Sequence, residues 1–358
     1  MSDYCLEVNR NHLNRTRIID LPIQTTTDDE AVIKIEQFAI TANNITYGVA
    51  GDIIGYWQFF PTGHEWGRIP VWGKGTVTDP GNTSLAKGDE YYGYFPMATY
   101  LVVKPIRIDQ RGFTDGAAHR ADLPAVYNQY SLMTPSNGFD RRYDKHRMAY
   151  FPLFMTGFVL DDFLYDNQFF GAENTLLSSA SSKTAISMAF QLKKRGVCIT
   201  GLTSIKNQDF VKSLGLYNSV INYDEITTLQ TQEKTNFVDM AGNRQVLAKV
   251  HHHFQENLAL SCGVGITHYE SRESVELKSL PGAKPSMFFA PDQIKKRNRD
   301  WGSETLQAEI QSAWQAFLGS IDEWIHINES HDRDGLISAY ETVLGGAAPD
   351  QVHVVSVR

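Results

Sequence analysis

The densest concentration of chemically able side chains lies at residues 178–184: Ser178, Ser179, Ser181, Ser182, Lys183 and Thr184. Five hydroxyls and an ammonium stand together with no carboxylate among them. A short apolar run precedes them and a helical stretch follows, so they occupy a strand-to-helix turn. N–H groups at a helix start carry partial positive charge and attract anions, and hydroxyls and a lysine add donors. The same serines read equally well as plain helix caps. A second polar loop, Thr203, Ser204, Lys206 and Asn207, closes the next apolar run, with no carboxylate until Asp209. A third group, Tyr127 and Tyr130 around Asn128, lies in a long polar stretch. It reads as a cleft lining or, more simply, as an aromatic anchor for a surface loop.

The elements that position these groups follow from periodicity. Thr175-Leu176-Leu177 is apolar, and Ile186, Ala189 and Phe190 fall at i, i+3 and i+4, the stripe of a helix that Gly196 stops. Residues 197–200 are a second apolar run, a helix reaches Leu214 before Gly215, and 219–223 is a third run. Strands alternating with helices of this length predict a parallel sheet with right-handed crossovers. Ligands of such sheets lie at the carboxyl ends of the strands, over the helix N-termini. Further strands are predicted at 236–239 and 258–262, with a helix between them that starts after the Ala241-Gly242-Asn243 turn. Gly265 follows the last strand.

Upstream, residues 1–105 read as mainly β. Ala31, Ile33 and Ile35 share one face, and Gly and Pro recur from Gly48 to Gly81 as the punctuation of a small barrel. Residues 107–148 have no sustained period and read as a long irregular insertion. Residues 151–166 are helical and carry Asp161 and Asp162. Residues 271–300 read as a second irregular stretch, with Lys295-Lys296-Arg297 as a solvated face. Ser303 is the expected N-cap of a helix that puts Leu306, Ile310, Trp314 and Phe317 on one side.

At 358 residues and 42% hydrophobic content, the chain can bury cores for two domains. A net charge of −8 argues against a general nucleic-acid binder. No apolar run approaches a membrane span, and residues 1–11 have no signal-like apolar core. Cys5, Cys198 and Cys262 are far apart, which suits reduced thiols and a cytoplasmic protein. No metal is expected. Gly63-His64-Glu65 lacks convergent partners, and His251, His252 and His253 on one helix point different ways.

Three segments share a recognisable pattern: Ala39-Ile40-Thr41-Ala42-Asn43-Asn44-Ile45-Thr46-Tyr47, Lys87-Gly88-Asp89-Glu90-Tyr91-Tyr92-Gly93, and Lys212-Ser213-Leu214-Gly215-Leu216 through Val220-Ile221-Asn222-Tyr223. With the order of parts, they resemble the medium-chain dehydrogenase/reductase superfamily. The likeness is greatest to its zinc-free quinone and enoyl reductase branch, and to a branch known mainly as proteins of unknown function. The resemblance implies an α/β architecture: a GroES-like β-barrel domain over 1–150 with the insertion at 107–148, and a Rossmann-type doubly wound parallel sheet over 151–270. A C-terminal segment, 271–358, would return to the barrel domain.

The resemblance also implies an NADP(H)-dependent oxidoreductase that passes a hydride to or from an activated alkene, quinone or carbonyl. Tyr47 would donate a proton or hydrogen bond, and Asn43 would orient a carbonyl oxygen. Ser179, Ser181, Ser182, Lys183 and Thr184 would hold the pyrophosphate where relatives have a glycine-rich turn. Thr203, Ser204, Lys206 and Asn207 would receive a 2′-phosphate, because no carboxylate stands there to claim the ribose hydroxyls of NAD. Tyr223 would lie beside the adenine ribose, and Gly242 and Gly265 in the neighbouring turns. Lys74 falls where zinc-using relatives carry a ligand histidine. The rival reading keeps the fold but binds NADP(H), or another phosphate ligand, without turnover. The resemblance implies a homodimer too, formed where 258–262 leaves an uncovered sheet edge.

Overall fold

The computed structural model describes residues 2–24, 26–264 and 279–357. The chain forms two units, Met1–Pro152 with Ile325–Arg358, and Leu153–Trp324. Strands of the first unit are β1 (Tyr4–Asn9), β2 (Thr16–Asp20), β3 (Ala31–Ile40), β4 (Trp66–Gly67), β5 (Pro70–Asp79), β6 (Glu90–Pro96), β7 (Tyr100–Val103), β8 (Pro105–Asp109), β9 (Gly112–Asp115) and β10 (Gln129–Leu132). The second unit carries β11 (Asn174–Leu177), β12 (Cys198–Thr203), β13 (Ser219–Asn222), β14 (Thr235–Asp239), β15 (Leu258–Val264) and β16 (Pro285–Phe288). The chain then adds β17 (His326–His331) and β18 (Gln351–Ser356) to the first unit.

In the first unit β2-β1-β4 form a small sheet, and a larger one runs β17-β18-β3-β5-β6-β10-β9-β8, with β7 also paired to β3. Ala31, Ile33 and Ile35 of β3 are buried on one face as the sequence predicts, but Val32 on the other face is buried too and only Lys34 is exposed, so the alternation is partial. Gly73 and Gly75 let β5 run close to β3. A Cβ at either would stand 2.6 Å from a β3 carbonyl oxygen. Residues 107–148, expected to be irregular, supply β9, β10 and most of β8 to the large sheet. These strands are four or five residues long, separated by single helical turns, too short to set up a period.

The second unit is a sheet of six parallel strands in the order β13-β12-β11-β14-β15-β16, the 3-2-1-4-5-6 order of doubly wound dinucleotide folds. Alternate residues on each strand feed opposite cores. Leu177 and Val238 pack with Leu160, Met188 and Leu192 of the helices Asp144–Asp166 and Lys183–Lys194. Leu176 and Phe237 pack with Leu247 and Val250 of the helix Arg244–Phe254. The architecture is α/β, a strand-rich unit beside a doubly wound parallel sheet in sequence.

Several local expectations change. The strand at 258–262 is not an edge: β15 pairs with β14 and β16, so among the described residues the sheet edge on this side is β16. Residues 279–300 are largely regular, with β16 and the helix Ala290–Trp301. Arg297 is buried, not solvated, and binds Asp162 (2.7 Å) and Asp166 (2.9 Å). Arg195 binds Asp161 at 2.9 Å, so the paired aspartates anchor their helix. Gly302, at φ 85°, takes the N-cap position expected of Ser303, which becomes the first residue of the helix Ser303–Ile321. Cys198 is exposed, whereas Cys5 and Cys262 are buried.

Candidate functional site

β11 and β14 are neighbours whose connections leave in opposite directions, the switch point at which doubly wound sheets bind ligands. The serine turn follows β11 and the Ala241–Gly242 turn follows β14, so both border that point. Ser178, fully buried, ties them together. Its hydroxyl donates to Asp239 Oδ1 (2.6 Å) and accepts from the N–H groups of Met240 (2.8 Å) and Ala241 (2.9 Å). Asp239 Oδ1 also accepts from the Ala241 and Gly242 N–H groups at 3.0 and 3.1 Å. Burial raises the Asp239 carboxyl above its usual range, against the pull of Ser178 and these N–H groups. In the sequence Ser178 stands out only as one hydroxyl of the turn and Asp239 not at all, and nothing there joins the two. The available signal was a polar group ending each of two apolar runs.

The turn keeps a glycine-like shape without glycine. Ser179 has φ +50°, in the left-handed region, and its N–H donates to the Tyr223 hydroxyl at 3.0 Å. Ser182 caps the helix Lys183–Lys194, accepting the Ala185 N–H at 3.2 Å, so for this serine capping is what the structure shows. Ser181 accepts from Asn207 Nδ2 at 3.1 Å, which joins the turn to the second polar loop. The N–H groups of Ser181 and Thr184 donate to no group among the described residues. In the second loop Thr203 is buried, Ser204 Oγ is buried without a partner, and Lys206 is exposed. Lys183 and Thr184 are half-buried at the helix start. Ser179, Ser181, Asn207, Tyr223 and Gly242 thus belong to one hydrogen-bonded rim, from which Lys206 stands apart. Gly265 lies outside the described residues.

In the first unit, Thr41 starts the helix Ala42–Val49, with Asn44 Oδ1 accepting the Thr41 N–H at 2.7 Å and Asn44 Nδ2 bound to Pro70 O at 2.8 Å. This fixes the helix to β5. Asn43 and Tyr47, one turn apart, share a face, and Asn43 Nδ2 donates to Tyr47 Oη at 2.7 Å. The Tyr47 ring lies 4.3 Å from Tyr56 and 5.9 Å from Tyr94 between centroids. Tyr127 is 4.7 Å from Tyr94, and its hydroxyl is 3.2 Å from that of Tyr56. Trp72 stands 5.1 Å from Tyr94. Burial holds the Tyr47 phenol well above its ordinary value, so it stays protonated at neutral pH. Tyr127 was noticed in the sequence, but only the fold shows it beside Tyr47. Tyr130 is the anchor: its hydroxyl donates to Tyr94 O at 2.5 Å.

Among the described residues no three His, Cys, Asp or Glu side chains converge as a metal would require. Lys74 is spent on Asp144 at 2.8 Å. His251 is buried between Pro281 O and Ser261 Oγ, both at 2.8 Å, and burial lowers its pKa although the Pro281 carbonyl acts to raise it. His253 binds Leu229 O at 2.9 Å, so these histidines do diverge.

No curated protein matches the sequence. Solved structures share the fold at low identity, among them the following three. CurA from Vibrio vulnificus, in complex with NADPH, matches with a TM-score of 0.64 at 11% identity over 99% of each chain. The CurK enoyl reductase gives 0.60 at 12% over the whole of both chains. The quinone oxidoreductase from Coxiella burnetii gives 0.57 at 15%, again over the whole of both. The fold is therefore that of the medium-chain dehydrogenases/reductases, with a GroES-like unit and a Rossmann unit. In sequence, the model of the family described as "Protein of unknown function (DUF2855)" matches residues 38–349, most of the chain, and to that family this protein belongs.

Proposed function

We propose that the protein is an oxidoreductase that uses NADP(H) and acts, without zinc, on an activated alkene, quinone or carbonyl. The observation that carries this reading is the pair of unspent N–H groups, Ser181 and Thr184, at a helix N-terminus beside the switch point. Such groups favour an anion, and doubly wound sheets that take dinucleotides bind the pyrophosphate at such a turn, which supports the reading. Ser179, Ser182, Lys183 and Gly242 complete the rim, and Tyr223 borders it. Bound there, the cofactor supplies the hydride chemistry. Asn43 and Tyr47 belong to the substrate end, where Asn43 holds the phenol oxygen in place. The fold relatives, an enoyl reductase, a quinone oxidoreductase and a protein in complex with NADPH, support the same class.

The test is Ser181→Asp. An aspartate keeps an acceptor for Asn207 and suits the positive end of the helix dipole, so the fold is retained. It repels a pyrophosphate. Calorimetry is expected to show NADPH binding weakened at least tenfold, about 1.4 kcal/mol; unchanged affinity overturns the assignment. NADPH absorbance decay with a panel of quinones and enones then separates turnover from binding alone. The second reading, binding without turnover, draws on serine standing at φ +50° where glycine is unstrained. Tight binding with no decay on any acceptor selects it.

A homodimer is proposed through the edge of β16, where Met287 and neighbouring Phe289 expose apolar surface. Light scattering is expected to give twice the 40.3 kDa chain mass at micromolar concentration. The single-chain mass would overturn it.

A further inference from the structure

The tyrosine cluster of the first unit is rich in donors and short of acceptors. Trp72 Nε1 and Tyr94 Oη are buried with no partner at full hydrogen-bond distance, and both are directed at the one Tyr47 hydroxyl. Tyr56 and Tyr127 share one hydrogen bond between their hydroxyls, and Tyr47 Oη is taken by Asn43. Among the described residues none of these five ring groups is hydrogen-bonded to a backbone carbonyl or a carboxylate. Buried donors without acceptors are costly, so such a set favours a ligand that brings an acceptor oxygen. The surrounding surfaces are flat rings: Trp72 lies 6.0 Å from Tyr127, and Phe59 lies 5.3 Å from it. A planar, conjugated carbonyl compound matches both features.

The four phenols are not equivalent. Tyr47, Tyr56 and Tyr94 are buried, whereas Tyr127 keeps part of its surface open, as do Asn43 and Trp72. Asn43 donates to Tyr47, so the Tyr47 oxygen is already an acceptor. Burial raises the phenols of Tyr47, Tyr56 and Tyr94 far above the ordinary value. Burial raises Tyr127 too, but the hydroxyls of Tyr56 and Tyr47 pull it back. Tyr127 is thus the phenol of the four that keeps surface open to an incoming ligand.

We propose that Tyr127 is the proton donor of this site, giving its hydroxyl proton to the carbonyl oxygen of a flat enone or quinone-like substrate, with Tyr47 and Tyr56 as positioning residues. This rests on the reductase reading above. When a hydride from NADPH adds to the β carbon of an enone, the alkene electron pair shifts toward the carbonyl. Its oxygen takes the Tyr127 proton, so an enol O–H forms as the phenol O–H breaks. Hydrogen bonds from Tyr56 and Tyr47 stabilise the phenolate, which regains a proton from solvent, and the enol tautomerises to the saturated ketone.

The probe is 4-phenyl-3-buten-2-one, titrated calorimetrically without nucleotide and then assayed with NADPH. Tyr127→Phe keeps the ring packing. It is expected to bind NADPH like the wild type, to bind the enone at least about tenfold more weakly, and to lose at least about a hundredfold in kcat. Tyr56→Phe should retain more kcat, and the alkaline limb of its pH profile should move to higher pH, because a group that lowers the Tyr127 pKa is gone. Wild-type enone affinity and kcat in Tyr127→Phe, or loss of turnover confined to Tyr47→Phe, overturns the proposal. Should the wild type bind NADPH but oxidise it with no acceptor, the reductase reading falls and enone binding alone decides. Tenfold weaker binding to Tyr127→Phe then supports Tyr127 as the carbonyl donor, and equal or absent binding overturns it.

Discussion

Arg120→Ala is expected to cost the strand-rich unit about 3–5 kcal/mol, the usual penalty for leaving one charge of a buried pair alone. Arg120 is 1% exposed and its Nη1 lies 3.0 Å from Oδ2 of the equally buried Asp115. Asp115 Oδ1 accepts the Lys104 and Ala117 N–H groups, each at 3.1 Å, so the carboxylate cannot swing out to water. The guanidinium also donates to Phe59 O at 3.3 Å and lies 4.7 Å from the Phe60 ring. Truncation removes the cation, the contact with Phe60 and the hydrogen bonds to Phe59 O and Tyr130 Oη, and strands the anion. Replacing both members, Arg120→Met with Asp115→Asn, should recover most of the loss, since an apolar or neutral pair carries no unpaired charge. Urea denaturation measures both. A loss below about 1 kcal/mol for Arg120→Ala would mean that water reaches the pair and that its burial confers no special dependence. The consequence extends to the site, because Asn128 Nδ2 donates to Arg120 O at 3.1 Å and Asn128 follows Tyr127 directly.

How far the sequence reveals this molecule depends on how local each feature is. The parallel sheet is legible because its strands and helices alternate, with Gly196 and Gly215 stopping the helices at φ 74° and 62°. The serine turn is legible as a strand-to-helix turn, but its closure is not. Ser178 meets Asp239 across 61 residues, and no local pattern records that pairing. The same limit hides Arg297, whose charge in a basic run suggests solvent until Asp162, 135 residues earlier, is brought to it. Residues 107–148 fail for a different reason. Their order comes from a buried ion pair and strands of four or five residues, not from an amphipathic period. Asn43 and Tyr47 were suggested by resemblance, and the helix that joins them is only eight residues long, with Asn and Thr at positions where helix propensity is weak. Tyr127 stood in plain view as an aromatic in a polar stretch. What it faces depended on the pairing of β10 with β6, which is a tertiary fact.

The wild type is expected to bind NADPH at least tenfold more tightly than NADH, about 1.4 kcal/mol, and Ser204→Asp to erase that preference. β12 ends at Thr203, and Ser204 follows with its hydroxyl buried and unpartnered. A buried hydroxyl of this kind is stabilised by an incoming acceptor, which a 2′-phosphate supplies. The carboxylates near the loop do not compete for it. Asp209 is exposed on the helix Gln208–Ser213, and Glu225 already accepts from the Asn222 N–H (2.9 Å) and from Gln208 Nε2 (3.4 Å). Lys206 is exposed and free to swing toward a phosphate, while Asn207 is held by Ser181. An aspartate at 204 replaces a donor by a charge of the same sign as the phosphate, at a cost to NADPH of about 1.5–3 kcal/mol. NADH loses little, because a carboxylate at the end of the second strand accepts hydrogen bonds from the ribose hydroxyls. Competitive calorimetry of the two reduced cofactors reads both terms at once. Equal affinities in the wild type would sink the assignment of this loop. A Ser204→Asp variant that still preferred NADPH tenfold would instead transfer the 2′-phosphate to Lys206, the loop's one cation.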